Sequence, residues 1–280
     1  MIEIKKALSG QIIPYEMFNF GGGETHVKIN DLKDVHFVDV IMKYMNDSQF
    51  VHLALIVDAL RRGNVANIRL KIPYFPGARQ DRVNVKGEPF SLKVYANLIN
   101  AMRFDSVVIF DPHSDVTPAV IDKVIPVNNH AFIKDVIDEI EDGLILISPD
   151  AGSNKKIYDL SKSLGGLPVV RCDKLRDVTN GKIIDSVVYA ENLEGKTCLI
   201  VDDICSYGGT FCGLAGKLKA HGAGDVFLAV SHFEGVASLT KLKDSGISGV
   251  YTTNSKDWNV NDYNKSGFIT CFDIEKYLYL

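Results

Sequence analysis

Short apolar runs alternate with helix-period segments along all 280 residues, and this alternation constrains the fold more than any other feature. Strand candidates are IRLKI (68–72), SVVIF (106–110), LILIS (144–148), LPVV (167–170), SVVYA (186–190), CLIV (198–201), VFLAV (226–230) and VYTT (250–253). Runs that are apolar at nearly every position suit strands covered on both faces. Between them, residues 91–102 open at a Ser91 cap and line up Leu92, Ala96, Ile99 and Met102. Residues 131–141 and 211–220 carry apolar side chains at helical spacing, the latter stopping at Gly222. Residues 48–62 are apolar almost all round, which predicts a helix sandwiched between layers. Such alternation predicts an α/β fold with mostly parallel sheets. The pattern of strand, polar loop, helix and strand ending in aspartate occurs twice, in SVVIFDPHSD and CLIVDDICS. The length suits two domains, and the reading is two related α/β units, 1–130 and 131–280.

Ligands of α/β sheets bind beyond the carboxyl ends of strands, so four loops matter. In CLIVDDICSYGGT, Asp202 and Asp203 precede Ser206, Tyr207, Gly208, Gly209 and Thr210, with a helix expected from Phe211. Glycines free backbone amides to face one point, and a helix N-terminus favours an anion there. A monophosphate fits, with the carboxylates on sugar hydroxyls or on water around a cation. A turn and a helix cap account for the same letters. In SPDAGSNKK (148–156) the amides of Ala151, Gly152 and Ser153 could face a diphosphate, with Asp150 available to Mg²⁺. An ordinary cap by Ser148 or Asp150 competes evenly. In IPYFPGARQDR (72–82), Arg79 and Arg82 suit bidentate phosphate contacts and Gln80 an adenine edge. An exposed charged turn is the rival. In FDPHSD (110–115), His113 between two aspartates could meet a cation or a phosphate, although Mg²⁺ prefers oxygen. CDKLRD (172–177) reads as a mobile connection carrying Lys174 and Arg176, and NFGGGET (19–25) as a solvated turn with Phe20 and Glu24. The remaining histidines and Trp258 form no constellation.

A net charge of -4 without a basic stripe argues against nucleic-acid or membrane partners. Five cysteines without a C-x-x-C pair fit a reduced, cytoplasmic setting. MIEIKKALSG lacks a signal peptide's apolar core, and LALIVDAL (53–60), the longest apolar stretch, is too short to span a bilayer.

Together these stretches resemble ribose-phosphate diphosphokinase, the synthetase family that makes phosphoribosyl diphosphate (PRPP). VDALRR (57–62), IPYFPGARQDR, SPDAG (148–152), DKLR (173–176), VDDI…GGT (201–210) and TTNS (252–255) occur in family order. The resemblance implies two phosphoribosyltransferase-like α/β domains with the active site between them. It implies that ATP and ribose 5-phosphate give AMP and PRPP with Mg²⁺. Carried over by position, Asp202 and Asp203 hold the ribose hydroxyls and Ser206, Tyr207, Gly208, Gly209 and Thr210 cradle the 5-phosphate. Asp150, Ala151, Gly152 and Ser153 form the pyrophosphate loop. Arg79, Gln80 and His113 contact ATP, with His113 and Asp150 also near the metal. Lys174 and Arg176, on a closing loop, offset transition-state charge, and His113 is grouped with them as catalytic. Phe20 and Glu24 match a loop that reaches the adenine pocket of a neighbouring subunit, which implies a homo-oligomer with a shared site.

The chain departs from the family at Ser206, where an aspartate is usual, at Tyr207, where threonine is, and at Gly22, where a carboxylate is lost. Two alternatives stand beside the synthetase: a phosphoribosyltransferase that consumes PRPP, and a non-catalytic regulatory associate. Retention of Lys174, Arg176, His113 and Asp150 favours the synthetase.

Overall fold

In the computed structural model, residues 2–140, 143–176, 183–235, 239–256 and 267–278 are described. They form two α/β units: residues 2–128 with Ser255, Lys256 and Leu278, and a second comprising the described residues of 129–254 and 267–277. Trp258 lies outside the described residues.

The first unit runs β1 (Ile2–Lys6), β2 (Tyr15–Asn19), β3 (Thr25–Ile29), β4 (Phe37–Met42), α1 (Ser48–Arg62), β5 (Asn67–Lys71), α2 (Ser91–Ala101), β6 (Ser106–Phe110), α3 (Val116–Val120) and β7 (Val124–Val127). Its main sheet is ordered β1-β4-β5-β6-β7. All neighbours are parallel except β1 with β4. β2 and β3 form a separate antiparallel hairpin whose turn carries Phe20 and Glu24. Ile68, Leu70 and Ile72 alternate onto one face and pack with Leu53, Ile56 and Leu60 of α1 and Leu92, Ala96 and Ile99 of α2. The intervening Arg69 and Lys71 both reach the Asp39 carboxylate, at 2.7 and 2.9 Å. Asp39 and Arg69 are direct register partners on β4 and β5, so the parallel pairing itself brings the charges together.

The second unit continues with α4 (His130–Asp138), β8 (Ile145–Ser148), α5 (Asn154–Ser163), β9 (Val169–Arg176), β10 (Ile183–Val188), β11 (Cys198–Cys205), α6 (Gly209–Ala220), β12 (Val226–Phe233), α7 (Leu239–Asp244), β13 (Gly249–Thr253) and β14 (Ile269–Phe272). Its seven strands are ordered β10-β9-β8-β11-β12-β13-β14 and are parallel except for β10 against β9. All five cysteines are free thiols. Among the described residues, no helix is long and apolar enough to cross a membrane.

Four expectations need correction. α1 is buried on one face only, at Gln49, Phe50, Leu53, Ile56, Val57 and Leu60, while Val51, Ala54 and Asp58 face solvent. It is amphipathic, and the weak polarity of Val51 and Ala54 disguised its outer face. Ser91 is the first helical residue of α2; Phe90 takes the cap position, and no side chain caps the helix. CDKLR is strand, not connection: β9 runs to Arg176, and Lys174 pairs in register with Ser186 of β10. Its polar letters belong to an antiparallel edge pair, where hydrogen bonding outweighs hydrophobic pattern. β11 also runs on through Cys205, so Asp202 and Asp203 are strand residues, with Asp202 opposite Val230.

Candidate active site

Three adjacent parallel strands deliver the charged residues of the second unit. β8 is flanked by β9 and β11, with Ser148 in register with Arg171 and Ile147 with Ile200. Asp150 follows the end of β8, Lys174 lies three residues past Arg171 on β9, and Asp202 lies two past Ile200 on β11. The common strand direction therefore carries all three toward one edge of the sheet.

Lys174 Nζ donates to Asp150 Oδ2 at 2.5 Å. Asp150 Oδ1 accepts from the Ser153 amide and hydroxyl, both at 3.1 Å, and so caps the 3₁₀ turn Ala151–Ser153 that precedes α5. The capping rival for this loop is thus real, yet it uses one carboxylate oxygen and leaves the other to the lysine. Burial works to raise the Asp150 carboxyl, but the hydrogen bond and charge of Lys174 and the two Ser153 donors outweigh it and hold the group below the usual carboxylate value. Asp202 moves the opposite way. Burial, the charge of Asp203 and a hydrogen bond to Asp203 raise it well above the usual value, against the pull of Lys174. A neighbouring negative charge disfavours ionisation of a desolvated carboxyl, and Asp202 Oδ1 also accepts from the Asp203 amide at 3.0 Å.

Beyond Cys205 the chain turns through Ser206 and Tyr207 to Gly208, whose φ of +72° is the left-handed conformation that glycine adopts without a side-chain clash. α6 begins at Gly209, and its first turn closes with the amides of Phe211 and Cys212 on the Gly208 carbonyl. The amides ahead of that turn have no intrahelical acceptor, which makes the loop suited to an anion. Tyr207 is 82% exposed.

In the first unit, Arg79 and Gln80 are exposed on the loop that follows β5, and His113 is exposed on the loop that follows β6. Between them Asp81 is buried and accepts from Arg82 Nε at 2.9 Å. Burial would raise its carboxyl; hydrogen bonds from Arg82 and Ser114 and the charge of Arg82, with a smaller contribution from His113, lower it overall. Asp81 is a residue that the motif reading passed over, although its position between two arginines in a strand-end loop was a usable signal. Phe20 and Glu24 sit at the exposed β2–β3 turn, where Phe20 and Phe18 meet edge to face at 5.3 Å. Arg176 ends β9, and its side chain lies outside the described residues. Among the described residues, no three His, Cys, Asp or Glu side chains form a group that could hold a metal.

A two-unit α/β chain with paired aspartates on a parallel strand that leads through a glycine turn into a helix has the form of the phosphoribosyl-transfer class. The comparisons divide it in the same way. Residues 1–102 match the N-terminal domain of ribose phosphate pyrophosphokinase, and residues 126–264 match the phosphoribosyl transferase domain. A ribose-phosphate pyrophosphokinase of Marinomonas sp. (strain MWYL1) is 34% identical over 221 residues, 76% of this chain and 69% of the relative. One from Vibrio parahaemolyticus is 32% identical over 84% of this chain and 76% of its own length. The crystal structure of phosphoribosylpyrophosphate synthetase from Mycobacterium smegmatis superposes with a TM-score of 0.80 at 25% identity, covering 97% of this chain and 89% of that one. The chain belongs to the ribose-phosphate pyrophosphokinase family.

Proposed function

We propose that the chain transfers the diphosphoryl group of ATP to the C1 hydroxyl of ribose 5-phosphate, giving PRPP and AMP. The observation that carries this reading is the grouping of Lys174, Asp150 and the Asp202–Asp203 pair on neighbouring strands, one of which leads into the Gly208 turn. The C1 oxygen attacks the β-phosphorus, the bond from that phosphorus to the α–β bridging oxygen breaks, and AMP leaves with the bridging oxygen. The hydroxyl proton passes to solvent.

Catalysis of such a transfer is mostly positioning and charge stabilisation. Asp202 and Asp203 would hold the ribose hydroxyls. Ser206, Tyr207, Gly208, Gly209 and Thr210 would take the 5-phosphate, and Asp150 to Ser153 the diphosphate. Arg79, Gln80 and His113 would contact ATP. Lys174 and Arg176 would offset the charge that develops on the transferred group. Lys174 lies on β9, paired with β10, and its ion pair with Asp150 sets it beside the diphosphate loop.

Mg²⁺ fits this donor set. It takes one or two carboxylates and completes its shell with water and substrate phosphates, and Asp150 is a partly exposed carboxylate beside the diphosphate loop. Asp150 would hold the ion, which when bound would neutralise polyphosphate charge. The exposed aromatic hairpin tip at Phe20 supports a homo-oligomer in which Phe20 and Glu24 reach a neighbouring subunit's adenine. ATP as donor supports a cytoplasmic setting. The family match of the first 102 residues favours making PRPP over consuming it.

The test is ³¹P NMR of the purified chain with ATP, ribose 5-phosphate and Mg²⁺. Joint appearance of AMP and a C1 diphosphate is expected. Folded protein that yields neither would refute the proposal and make the serine at 206 and the glycine at 22 decisive departures.

A further inference from the structure

The loop that carries Arg79 and Gln80 is gripped at two points by residues that no motif marks. Its first aromatic residue, Tyr74, is 7% exposed. The Tyr74 ring lies 6.1 Å, centroid to centroid, from that of Tyr44, which follows β4. Tyr44 Oη donates to Asp47 Oδ1 at 2.8 Å, and Tyr95 Oη of α2 donates to the same oxygen at 2.8 Å. Tyr95 then meets the middle of the loop. A β-carbon built at Gly77, whose φ is +72°, would stand 2.8 Å from Tyr95 Cδ2 and 3.1 Å from the Leu92 amide nitrogen. Phe50 of α1 packs beside both tyrosines, 5.1 Å from the Tyr95 ring and 6.4 Å from the Tyr44 ring. Lys256, which belongs to this unit, places Nζ 4.5 Å from the Tyr74 centroid and 5.6 Å from that of Tyr44.

Each part of this bracket is turned from its ordinary use toward the loop. Asp47 holds the N-cap position of α1 yet caps no helix amide, where an aspartate normally would. Its carboxylate joins two tyrosines instead. Gln49, 6% exposed, steadies the segment around it: Oε1 accepts from the amides of Met45 and Asn46, and Nε2 donates to the Lys43 carbonyl. Burial, and then the bond to Asp47, raise both phenols, so both stay neutral donors at physiological pH.

We infer that Tyr44, Asp47, Tyr95 and Lys256 are positioning residues for the nucleotide: they hold residues 74–80 so that exposed Arg79 and Gln80 are preset to receive ATP. This rests on the proposed function. A preset loop loses less conformational freedom on binding, so loosening the bracket weakens ATP capture and leaves the chemical step alone. The signature is a raised KM for ATP at unchanged kcat. A bracket that only supports the fold would change all parameters together.

The test is steady-state kinetics of Asp47→Ala, Lys256→Ala, Lys256→Arg and Tyr95→Phe. Asp47→Ala is expected to raise the ATP KM about tenfold, since two hydrogen bonds to a carboxylate are lost. Lys256→Ala is expected to raise it about fivefold, and Lys256→Arg, which keeps a cation over the rings, to restore it to within about twofold. kcat and the KM for ribose 5-phosphate stay within about twofold in each. Tyr95→Phe removes a hydroxyl with no loss of packing, gives a smaller shift of the same kind, and stands in for Asp47→Ala should that variant not fold. An unchanged ATP KM, a parallel change in every parameter, or failure of the arginine to rescue overturns the inference. If the unmodified chain makes no PRPP, the functional reading falls and the bracket is judged separately. Trypsin cleavage of the native chain at Arg79 and Arg82 must then be several-fold faster in Asp47→Ala, and an equal rate overturns it.

Discussion

Replacing Lys174 by methionine removes the ammonium 2.5 Å from Asp150 Oδ2 while keeping most of the side-chain volume. Exposed ion pairs contribute about 0–1 kcal/mol, whereas removing one partner of a buried pair costs about 3–5 kcal/mol. The side chains here are 10% and 30% exposed, so the pair falls between those limits, at about 2 kcal/mol. For a unit of this size that lowers Tm by about 4–8 °C. The pH dependence identifies the source. The Asp150 carboxyl is held below its ordinary value of 3.8, so its stabilisation is complete well above that pH and is lost as pH falls through the folded value. Asp202 loses the same cation and becomes harder to ionise, which also penalises the variant only above the ordinary carboxylate value. The gap in Tm between the two chains is therefore widest near neutral pH and closes in acid. Thermal unfolding followed by circular dichroism from pH 7 to pH 3 measures it. Equal midpoints at pH 7, or a gap of constant size down to pH 3, would refute the argument that this ion pair organises the cluster.

Three further outcomes follow from the same site. Lys174→Ala should lower kcat by about 10²–10³-fold, the cost of losing a donor aimed at developing charge, while ATP binding stays measurable by calorimetry; near-normal turnover would remove the lysine from the mechanism. Asp202→Asn relieves a carboxyl whose folded value is raised, a cost to stability that grows as pH rises above 3.8. It should stabilise the chain at pH 7 and not in acid, as read by urea unfolding, while ribose 5-phosphate binding weakens. Gly208→Ala forces a side chain into the left-handed region at φ +72°, with a stability loss of about 1–2 kcal/mol. Calorimetric titration should show weakened ribose 5-phosphate binding, and unchanged binding would separate the 5-phosphate from this turn.

The parallel cores were legible because strands covered on both faces are written in uninterrupted apolar letters, as SVVIF and CLIV are. Strands with one wet face or at an edge gave no such signal. IEIKK, YEMFN and THVKI alternate in burial over five residues each and passed unassigned, and β4, β7 and β14 were also missed. RCDKLR is charged at four of its six positions, and its strand state rests on backbone pairing with β10. The loops stood out in the sequence because aspartate and arginine carry charge and hydrogen-bonding groups in their side chains, while glycine frees the backbone to turn.

By itself the sequence determined the α/β class, the twofold pattern of units and the chemical character of each loop, since these depend on local periodicity and side-chain type. Tertiary structure decided which charges meet. Asp150 and Lys174 are 24 residues apart and become partners because β8 and β9 pair in parallel at one register. Asp47 also joins tyrosines on both sides of it in sequence, one of them 48 residues away, but through the packing of α1 beside α2. A strand shifted by one residue turns every side chain to the opposite face, so a pairing such as that of Asp150 with Lys174 resides in the register of the folded sheet, as that of Asp47 with Tyr95 resides in helix packing, and neither resides in a local run of letters.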